Sequence, residues 1–220
     1  MLFETQDGSH SVFSDKYGVS YHSKYGAIQE TQHVFINAGL RLKAVEQSEI
    51  SILEIGFGTG LNAFMTYLES EKRGLTIDYI GVEAYPISME IAKNLNFATQ
   101  VQQPESQFVL NKIHEVEWER SVAINDHFKL TKVKKLFETL DYENQFDIIY
   151  FDAFAPTSQP ELWQIPLLTS MYKALKQHGI FVTYCAKGQF KRDLKAIGFT
   201  VEAIPGPPGK REMTRALKLK

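Results

Sequence analysis

Strand-length apolar runs alternate with helical segments along most of this chain, and this alternation constrains the fold more than any other feature. The runs "EISILEIG", "LTIDYIGVE", "HFKLTKV", "QFDIIYFDAF" and "GIFVTYC" are separated by segments whose apolar residues recur at helical spacing. Strands connected through helices run parallel and are covered by helices on both faces. The final runs, "FTVEAIPG" and "REMTRALKL", are too close for a crossover and predict an antiparallel hairpin.

These elements predict an α/β fold with a mostly parallel, seven-stranded sheet. A length of 220 residues suits one domain, 1–220, divided into an N-terminal extension and helix (1–45) and a core (46–220). Turn signals near the N-terminus predict an extended or hairpin cap. Helices are predicted over about 27–45, with a bend at Gly39, over about 61–72 and 161–177, and over "SQFVLNKIHEVEWERS".

Composition and charge narrow the function classes. The formal net charge of −2 gives no global basic field, so composition neither suggests nor excludes RNA binding. Cys185 is the only cysteine, which rules out a disulfide within the chain and fits a reducing cytosol. No window reaches the ~18 apolar residues that span a membrane, and the histidines lack metal-ligand spacing. We expect a soluble, cytoplasmic protein with no metal and no membrane association.

The loop "EIGFGTG" follows the first strand of the predicted sheet. A dinucleotide-binding loop would have its third glycine at position 61, which is Leu61. Glu54 would repel a pyrophosphate and attract a cationic amino group, and Glu83 can accept the hydroxyls of a ribose. The alternative is a tight turn beside solvated glutamates. We favour a site for a nucleoside that carries a positive charge, built on the pattern G-x-G-x-G at Gly56, Gly58 and Gly60.

This loop pattern resembles that of the class I S-adenosylmethionine-dependent methyltransferases. Taken with "YFDAFAPTSQPELW", "GIFVTYCAKGQFKRDLKAIGF" and "PGPPGKREMTRA", it is similar to the tRNA 5-methylaminomethyl-2-thiouridine methyltransferase family. The opening "DGSHSVFSDKYGVSYHSKYGAIQETQHVFI" extends this resemblance over essentially the whole chain. The combination of D-A-F-A-P with G-K-R-E-M makes the resemblance specific.

The resemblance implies a Rossmann-like class I fold and an N-methylation that uses S-adenosyl-L-methionine. The acceptor would be the 5-aminomethyl group of (2-thio)uridine at the wobble position, within the anticodon stem-loop of tRNA. Bifunctional members add a flavin-dependent domain, for which this chain is too short, so no FAD is expected. Many members carry an acid where Lys134 and Lys135 stand here, which leaves the adenine contacts open. The implied cofactor-binding residues are Glu54, Gly56, Gly58, Thr59, Gly60, Asn62 and Glu83.

Asp152 ends the apolar run "QFDIIYF" and is the predicted catalytic residue. An alkylammonium has a pKa on the order of 10, so a carboxylate with an ordinary pKa of about 4 is a poor base for it. We expect Asp152 to orient the neutral amine and to stabilise the charge that develops on nitrogen. Phe154 and Pro156 are predicted to wall the pocket and stack on uracil, although Phe154 could instead pack on the core. Further pocket candidates are Tyr25, Gln29 and Tyr184.

Basic residues near the same end of the sheet could bind tRNA phosphates, or could simply be a solvated face. Two other functions compete with tRNA methylation. One is methylation of a small metabolite amine with the same cofactor, and the other is a nicotinamide-dependent oxidoreductase, which Glu54 and Leu61 disfavour. The predicted tRNA contacts are Lys187, Lys191, Arg192, Lys210 and Arg211.

Overall fold

The computed structural model describes residues 1–219, which form two sheets and the helices around them. The small antiparallel sheet contains β1 (Leu2–Glu4), β2 (His10–Ser14) and β3 (Val19–Ser20). The large sheet contains β4 (Glu49–Ile55), β5 (Thr76–Val82), β6 (Ser121–Asn125), β7 (Phe128–Val133), β8 (Phe146–Phe151), β9 (Leu175–Thr183), β10 (Thr200–Pro205) and β11 (Glu212–Leu217).

The first helical run consists of α1 (Ala27–Thr31), a π-helix (Gln32–Leu40) and α2 (Arg41–Lys43). The other helices are α3 (Leu61–Arg73), α4 (Met89–Lys93), α5 (Phe97–Gln100), α6 (Gln107–Glu115), α7 (Ile165–Ala174) and α8 (Gly188–Ile197). Short 3-10 turns lie at Pro104–Ser106, Phe137–Thr139 and Pro160–Trp163. None of the helices in the described range combines the length and the apolar character needed to cross a bilayer.

The order of the large sheet is β10-β11-β9-β8-β4-β5-β7-β6, and its five central strands are parallel. The predicted α/β fold, the cap and the terminal hairpin are confirmed. The large sheet has eight strands rather than seven, because β6 pairs antiparallel with β7. The helix expected over this region ends at Glu115, and only Asp126 and His127 separate β6 from β7. These two residues lack the glycine that commonly marks so tight a hairpin.

Side chains alternate between the two faces of the central strands, so each face has its own core. Ile52 packs into the cluster beneath the first helical run, α3 and α6, whereas Leu53 packs beneath α7 and α8. Gly39, where a bend is expected, lies within the π-helix and close to the sheet: a Cβ there would be 3.2 Å from the side chains of Tyr150 and Val182. The single-domain organisation over 1–220 stays a prediction.

The strand order reverses at β4, which has β5 on one side and β8 on the other. Residues Glu54 and Ile55 pair with Tyr150 and Phe151, so the loops that follow β4 and β8 leave the sheet side by side. Ligands in open α/β sheets bind in the crevice at such a reversal. The fold therefore brings together the glycine loop and Asp152.

Candidate active site

The glycine loop has a backbone that other residues could adopt only with strain. Gly56, Gly58 and Gly60 have φ values of +90°, +50° and +70°. A Cβ on Gly56 would lie 2.6 Å from the backbone oxygen of Asp152, and one on Gly58 would lie 2.9 Å from the Tyr21 ring. The bare backbone therefore forms one wall of the crevice, where a ligand can approach it closely.

The Asn62 amide links the two acids of the site. Its Nδ2 donates to Glu54 Oε1 and to Asp152 Oδ2, both at 2.8 Å. Its Oδ1 accepts a hydrogen bond from Thr31 Oγ1, also at 2.8 Å. The amide orientation is thus fixed from the first helical run, and one side chain near the start of α3 positions carboxylates from two strands.

Glu54 is completely buried, and its Oε2 has no hydrogen-bond partner within residues 1–219, although the Tyr79 hydroxyl, which also lacks a partner, lies near enough to lower the pKa of Glu54. Burial raises the pKa of Glu54 well above its usual range, and the nearby Asp152 carboxylate raises it further. A bound cationic amino group would provide the missing donor and would favour the ionised acid. This orphaned oxygen and the open glycine backbone fit the cationic, nucleoside-bearing cofactor implied by the sequence.

Glu83 follows β5, and burial raises its pKa. Its Oε2 accepts a hydrogen bond from the backbone N–H of Gly58 at 3.0 Å, and its Oε1 accepts one from that of Tyr85 at 2.9 Å. Each carboxylate oxygen can accept a further bond, so hydroxyl groups of a ribose can still bind. Glu83 therefore also fixes the glycine loop, a role that the sequence did not indicate.

The expectation of an ordinary pKa for Asp152 is wrong. Burial raises the pKa of Asp152 to about 7, and the negative charge of Glu30 contributes in the same direction. The difference from an alkylammonium therefore falls from roughly 6 pKa units to roughly 3. Asp152 is a much better proton acceptor than its residue type suggests.

The small N-terminal sheet covers a cavity of about 230 Å³ beside the glycine loop. Lys16 and Tyr85 both line this cavity, and Lys16 Nζ lies 2.8 Å from the centroid of the Tyr85 ring. His22 Nε2 lies 3.2 Å from Thr59 Oγ1, and burial lowers the pKa of His22 to about 4, so the ring is neutral. Sequence reasoning missed this wall, although the aromatic stretch "DKYGVSYH" is visible in the sequence. The N-terminal residues that line the cavity are Ser14, Asp15, Lys16, Tyr17, Tyr21 and His22.

Phe154 separates this cavity from a second compartment, also of about 230 Å³. Its ring packs against those of Tyr17 and Tyr21, with centroids 4.9 and 5.0 Å apart. Glu30 and Lys210 line the second compartment, and so does the predicted candidate Tyr184. Neither Tyr25 nor Gln29 lines either space, and the Tyr25 ring packs on Gly209. Pro156 lies farther out, in a groove of about 550 Å³ that Lys187 and Arg211 also line.

The five predicted tRNA-binding cations differ in their surroundings. Lys187, Arg192 and Arg211 are exposed and form no ion pair within residues 1–219. Lys191 pairs with Glu212 at 3.1 Å, and Lys210 pairs with Glu30 at 2.6 Å. Lys210 therefore points into the second compartment. Lys134 and Lys135 follow β7, are exposed, and do not line the first cavity.

The part of the chain that the structure describes contains no group of three or more His, Cys, Asp and Glu residues placed to hold a metal ion.

The chain is similar in sequence to a known methyltransferase family and to several known proteins. Residues 95–219 match the model of a family described as S-adenosyl-L-methionine-dependent methyltransferases. The tRNA 5-methylaminomethyl-2-thiouridine biosynthesis bifunctional protein MnmC of Methylobacillus flagellatus is 30% identical over 214 residues, 91% of this chain and 33% of that protein. Its counterpart in Leptospira borgpetersenii is 30% identical over 91% of this chain and 32% of that protein. The chain therefore spans about a third of the length of these relatives.

Solved structures share the fold. The crystal structure of MNMC2 from Aquifex aeolicus gives a TM-score of 0.78 at 24% identity, over 100% of this chain and 70% of that chain. Spermidine synthase from Thermotoga maritima gives a TM-score of 0.52 at 12% identity, over 99% of this chain and 70% of that chain. At these identities the likeness concerns the architecture alone.

Proposed function

This chain belongs to the S-adenosyl-L-methionine-dependent methyltransferase family, and we propose that it methylates the 5-aminomethyl group of (2-thio)uridine at the wobble position of tRNA. The product is 5-methylaminomethyl-(2-thio)uridine. One observation carries this proposal: Asp152, a carboxylate with a raised pKa, lines the cofactor crevice, and the next residue, Ala153, also lines a compartment that already holds an alkylammonium. The names of the relatives refer to biosynthesis of this same modified nucleoside.

The crevice residues divide the binding of the cofactor among them. Glu54 and Asn62 hold the amino acid end, because Glu54 Oε2 lacks a partner within residues 1–219. Glu83 accepts the ribose hydroxyls, and the backbone from Gly56 to Gly60, with Thr59, lies against the ligand. When bound, S-adenosyl-L-methionine supplies an electrophilic methyl group on a cationic sulfur.

Asp152 removes a proton from the acceptor amine so that the nitrogen has a free lone pair. Transfer from an ammonium of pKa about 10 to a carboxylate of pKa about 7 costs about 4 kcal/mol, whereas an ordinary carboxylate would cost about 8 kcal/mol. The Asn62 amide holds Asp152 in place during this step. The protonated Asp152 then returns its proton to water after the product leaves.

The acceptor nucleoside enters from the side of the second compartment. Phe154 is half-buried and packs against two aromatic rings, and a uracil can stack on it, as unstacked RNA bases do on aromatic residues. Pro156 lines the adjoining groove, and the exposed Lys187, Arg192 and Arg211 can bind phosphates of the anticodon stem-loop. Lys191 would have to exchange Glu212 for a phosphate.

Radiolabelled methyl transfer tests this function against its alternatives. We expect label to enter tRNA that carries 5-aminomethyluridine, and not tRNA that lacks the aminomethyl group. Preferential labelling of a small amine from a metabolite panel would establish the alternative substrate class. Asp152→Asn should lose transfer and retain binding of S-adenosylhomocysteine, so near-normal turnover by this variant would refute the assigned role.

A further inference from the structure

The second compartment contains an ion pair between two distant parts of the chain. Lys210 Nζ lies 2.6 Å from Glu30 Oε1, although the residues are 180 positions apart. Glu30 belongs to α1, and Lys210 lies in the turn between β10 and β11. The same Nζ lies 3.8 Å from the centroid of the Tyr184 ring. A primary alkylammonium is thus held between a carboxylate and an aromatic face.

The two groups around this ammonium are fixed without its help. Glu30 Oε2 accepts a hydrogen bond from the backbone N–H of Ser23 at 3.0 Å, and only 11% of the Glu30 side chain is exposed. The Tyr184 hydroxyl donates to the backbone oxygen of Ala153 at 2.7 Å. A carboxylate and an aromatic face, both largely desolvated, are the groups that bind ammonium ions most strongly. The compartment is therefore preorganised for such a group.

We infer that Glu30 and Tyr184 form the subsite for the primary amine of the acceptor, and that Lys210 occupies this subsite until the acceptor displaces it. The inference rests on the proposed transfer of a methyl group to an amine. Exchange of one ammonium for another leaves the charge of the compartment unchanged. Binding of the protonated acceptor therefore does not leave Glu30 as a buried and unpaired carboxylate, which would be costly.

The subsite lies near the reacting end of the crevice, because the Tyr184 hydroxyl donates to the backbone oxygen of Ala153, the residue after Asp152, and Asp152 is within reach of the charges of Glu30 and Lys210. Thr31, the neighbour of Glu30 in α1, donates to the Asn62 amide, and that amide donates to Asp152. Lys210 lines the second compartment and also the outer groove with Pro156. A displaced Lys210 can therefore turn towards that groove, where it can bind a phosphate of the incoming RNA.

Calorimetry on the full chain saturated with S-adenosylhomocysteine tests this subsite. The probes are 5-aminomethyluridine and its neutral analogue 5-hydroxymethyluridine, and we expect the wild type to prefer the amine. Glu30→Gln keeps an oxygen for the Ser23 N–H and loses the charge, so affinity for the amine should fall by about tenfold or more. Lys210→Met removes the competing ammonium, so affinity for the amine should rise several-fold. Neither variant should change affinity for the hydroxymethyl probe.

The opposite directions of these effects distinguish the subsite from a structural ion pair. A structural pair predicts that both variants weaken binding of both probes, because each leaves a buried charge unpaired, and that result would overturn the inference. Arg215→Met breaks the Arg215–Glu202 pair of the same hairpin, 2.6 Å long, and should leave both affinities unchanged. Unchanged affinity for S-adenosylhomocysteine shows that each variant is folded.

A further pair of measurements distinguishes failure of the subsite from failure of the proposed function. The wild-type protein is assayed for methylation of tRNA, and the binding measurement is repeated with ethylamine. If tRNA is not methylated but ethylamine shows the same opposite shifts, the subsite stands and the proposed acceptor is wrong. If tRNA is methylated but Glu30→Gln retains the full preference for the amine, the subsite is wrong and the function stands.

Discussion

The raised pKa of Asp152 makes a quantitative prediction about the pH dependence of methyl transfer. At saturating cofactor, the kcat/KM for the acceptor depends on the ionisation of the enzyme–cofactor complex and of the free acceptor. Asp152, with a pKa of about 7, is about nine-tenths ionised at pH 8 and about one-tenth ionised at pH 6. If Asp152 accepts the proton of a bound ammonium, kcat/KM should be level from about pH 7.5 to 9. Below pH 7 it should fall about tenfold for each unit.

The fall in kcat/KM below pH 7, the acidic limb of the profile, can be assigned to Asp152 by excluding other groups and by mutation. Burial lowers the pKa of both His22 and His114 to about 4, so neither ring titrates near neutrality. If Glu54 binds the amino group of the cofactor as proposed, saturating cofactor keeps it paired during the assay. Because the cation of Lys210 lowers the pKa of Asp152 and the anion of Glu30 raises it, Lys210→Met should move the limb to higher pH and Glu30→Gln to lower pH.

The assay is an initial-rate measurement over pH 5.5 to 9 with tRNA that carries 5-aminomethyluridine. A continued tenfold rise for each unit between pH 7 and 9 would show that the amine must enter without its proton, which would refute Asp152 as the acceptor of that proton. An acidic limb near pH 4, or one that neither Lys210→Met nor Glu30→Gln moves, would refute the conclusion that burial raises the pKa of Asp152.

Further predictions concern the loop, the stability and the RNA-binding surface. Gly56→Ala should abolish binding of S-adenosylhomocysteine, because a Cβ there would lie 2.6 Å from a backbone oxygen. The control is Gly74→Ala, at a position with φ of +65° and open space around it. This variant should lose only about 1 kcal/mol of stability in equilibrium unfolding. Burial opposes ionisation of Asp147, but hydrogen bonds from Ser51 and Lys176 lower its pKa overall. The ionised Asp147 therefore stabilises the fold above about pH 4, and this stabilisation is lost as the pH falls through the folded-state pKa. If Asp147→Asn unfolds with the same acid sensitivity as the wild type, this account of Asp147 is contradicted. Lys187→Gln with Arg211→Gln should reduce the slope of log affinity for tRNA against log salt by about 1 to 2, and an unchanged slope would remove both residues from the RNA-binding surface.

The parts of the site that lie at strand ends could be predicted from the sequence. Glu54 precedes the glycine loop, Glu83 and Asp152 follow apolar runs, and parallel strands place their carboxyl ends at one edge. The local sequence pattern was sufficient to place these three residues, because each is positioned by the strand that it belongs to or follows.

The other half of the site depends on contacts between distant segments, which no local pattern encodes. Glu30 is one polar residue in a helical run, and it acquires its role from Lys210, 180 positions later. The pKa of Asp152 depends on burial that only the tertiary structure creates. Similarly, β6 is a short edge strand whose pairing with β7 follows a turn without glycine.

The most direct test of the account is mass spectrometry of the nucleosides of tRNA that carries 5-aminomethyl-2-thiouridine, after incubation with this protein and S-adenosyl-L-methionine. The account predicts conversion of the wobble nucleoside to its 5-methylaminomethyl form, with no conversion by Asp152→Asn. An unchanged wobble nucleoside, or a methyl group on another nucleoside, would contradict it.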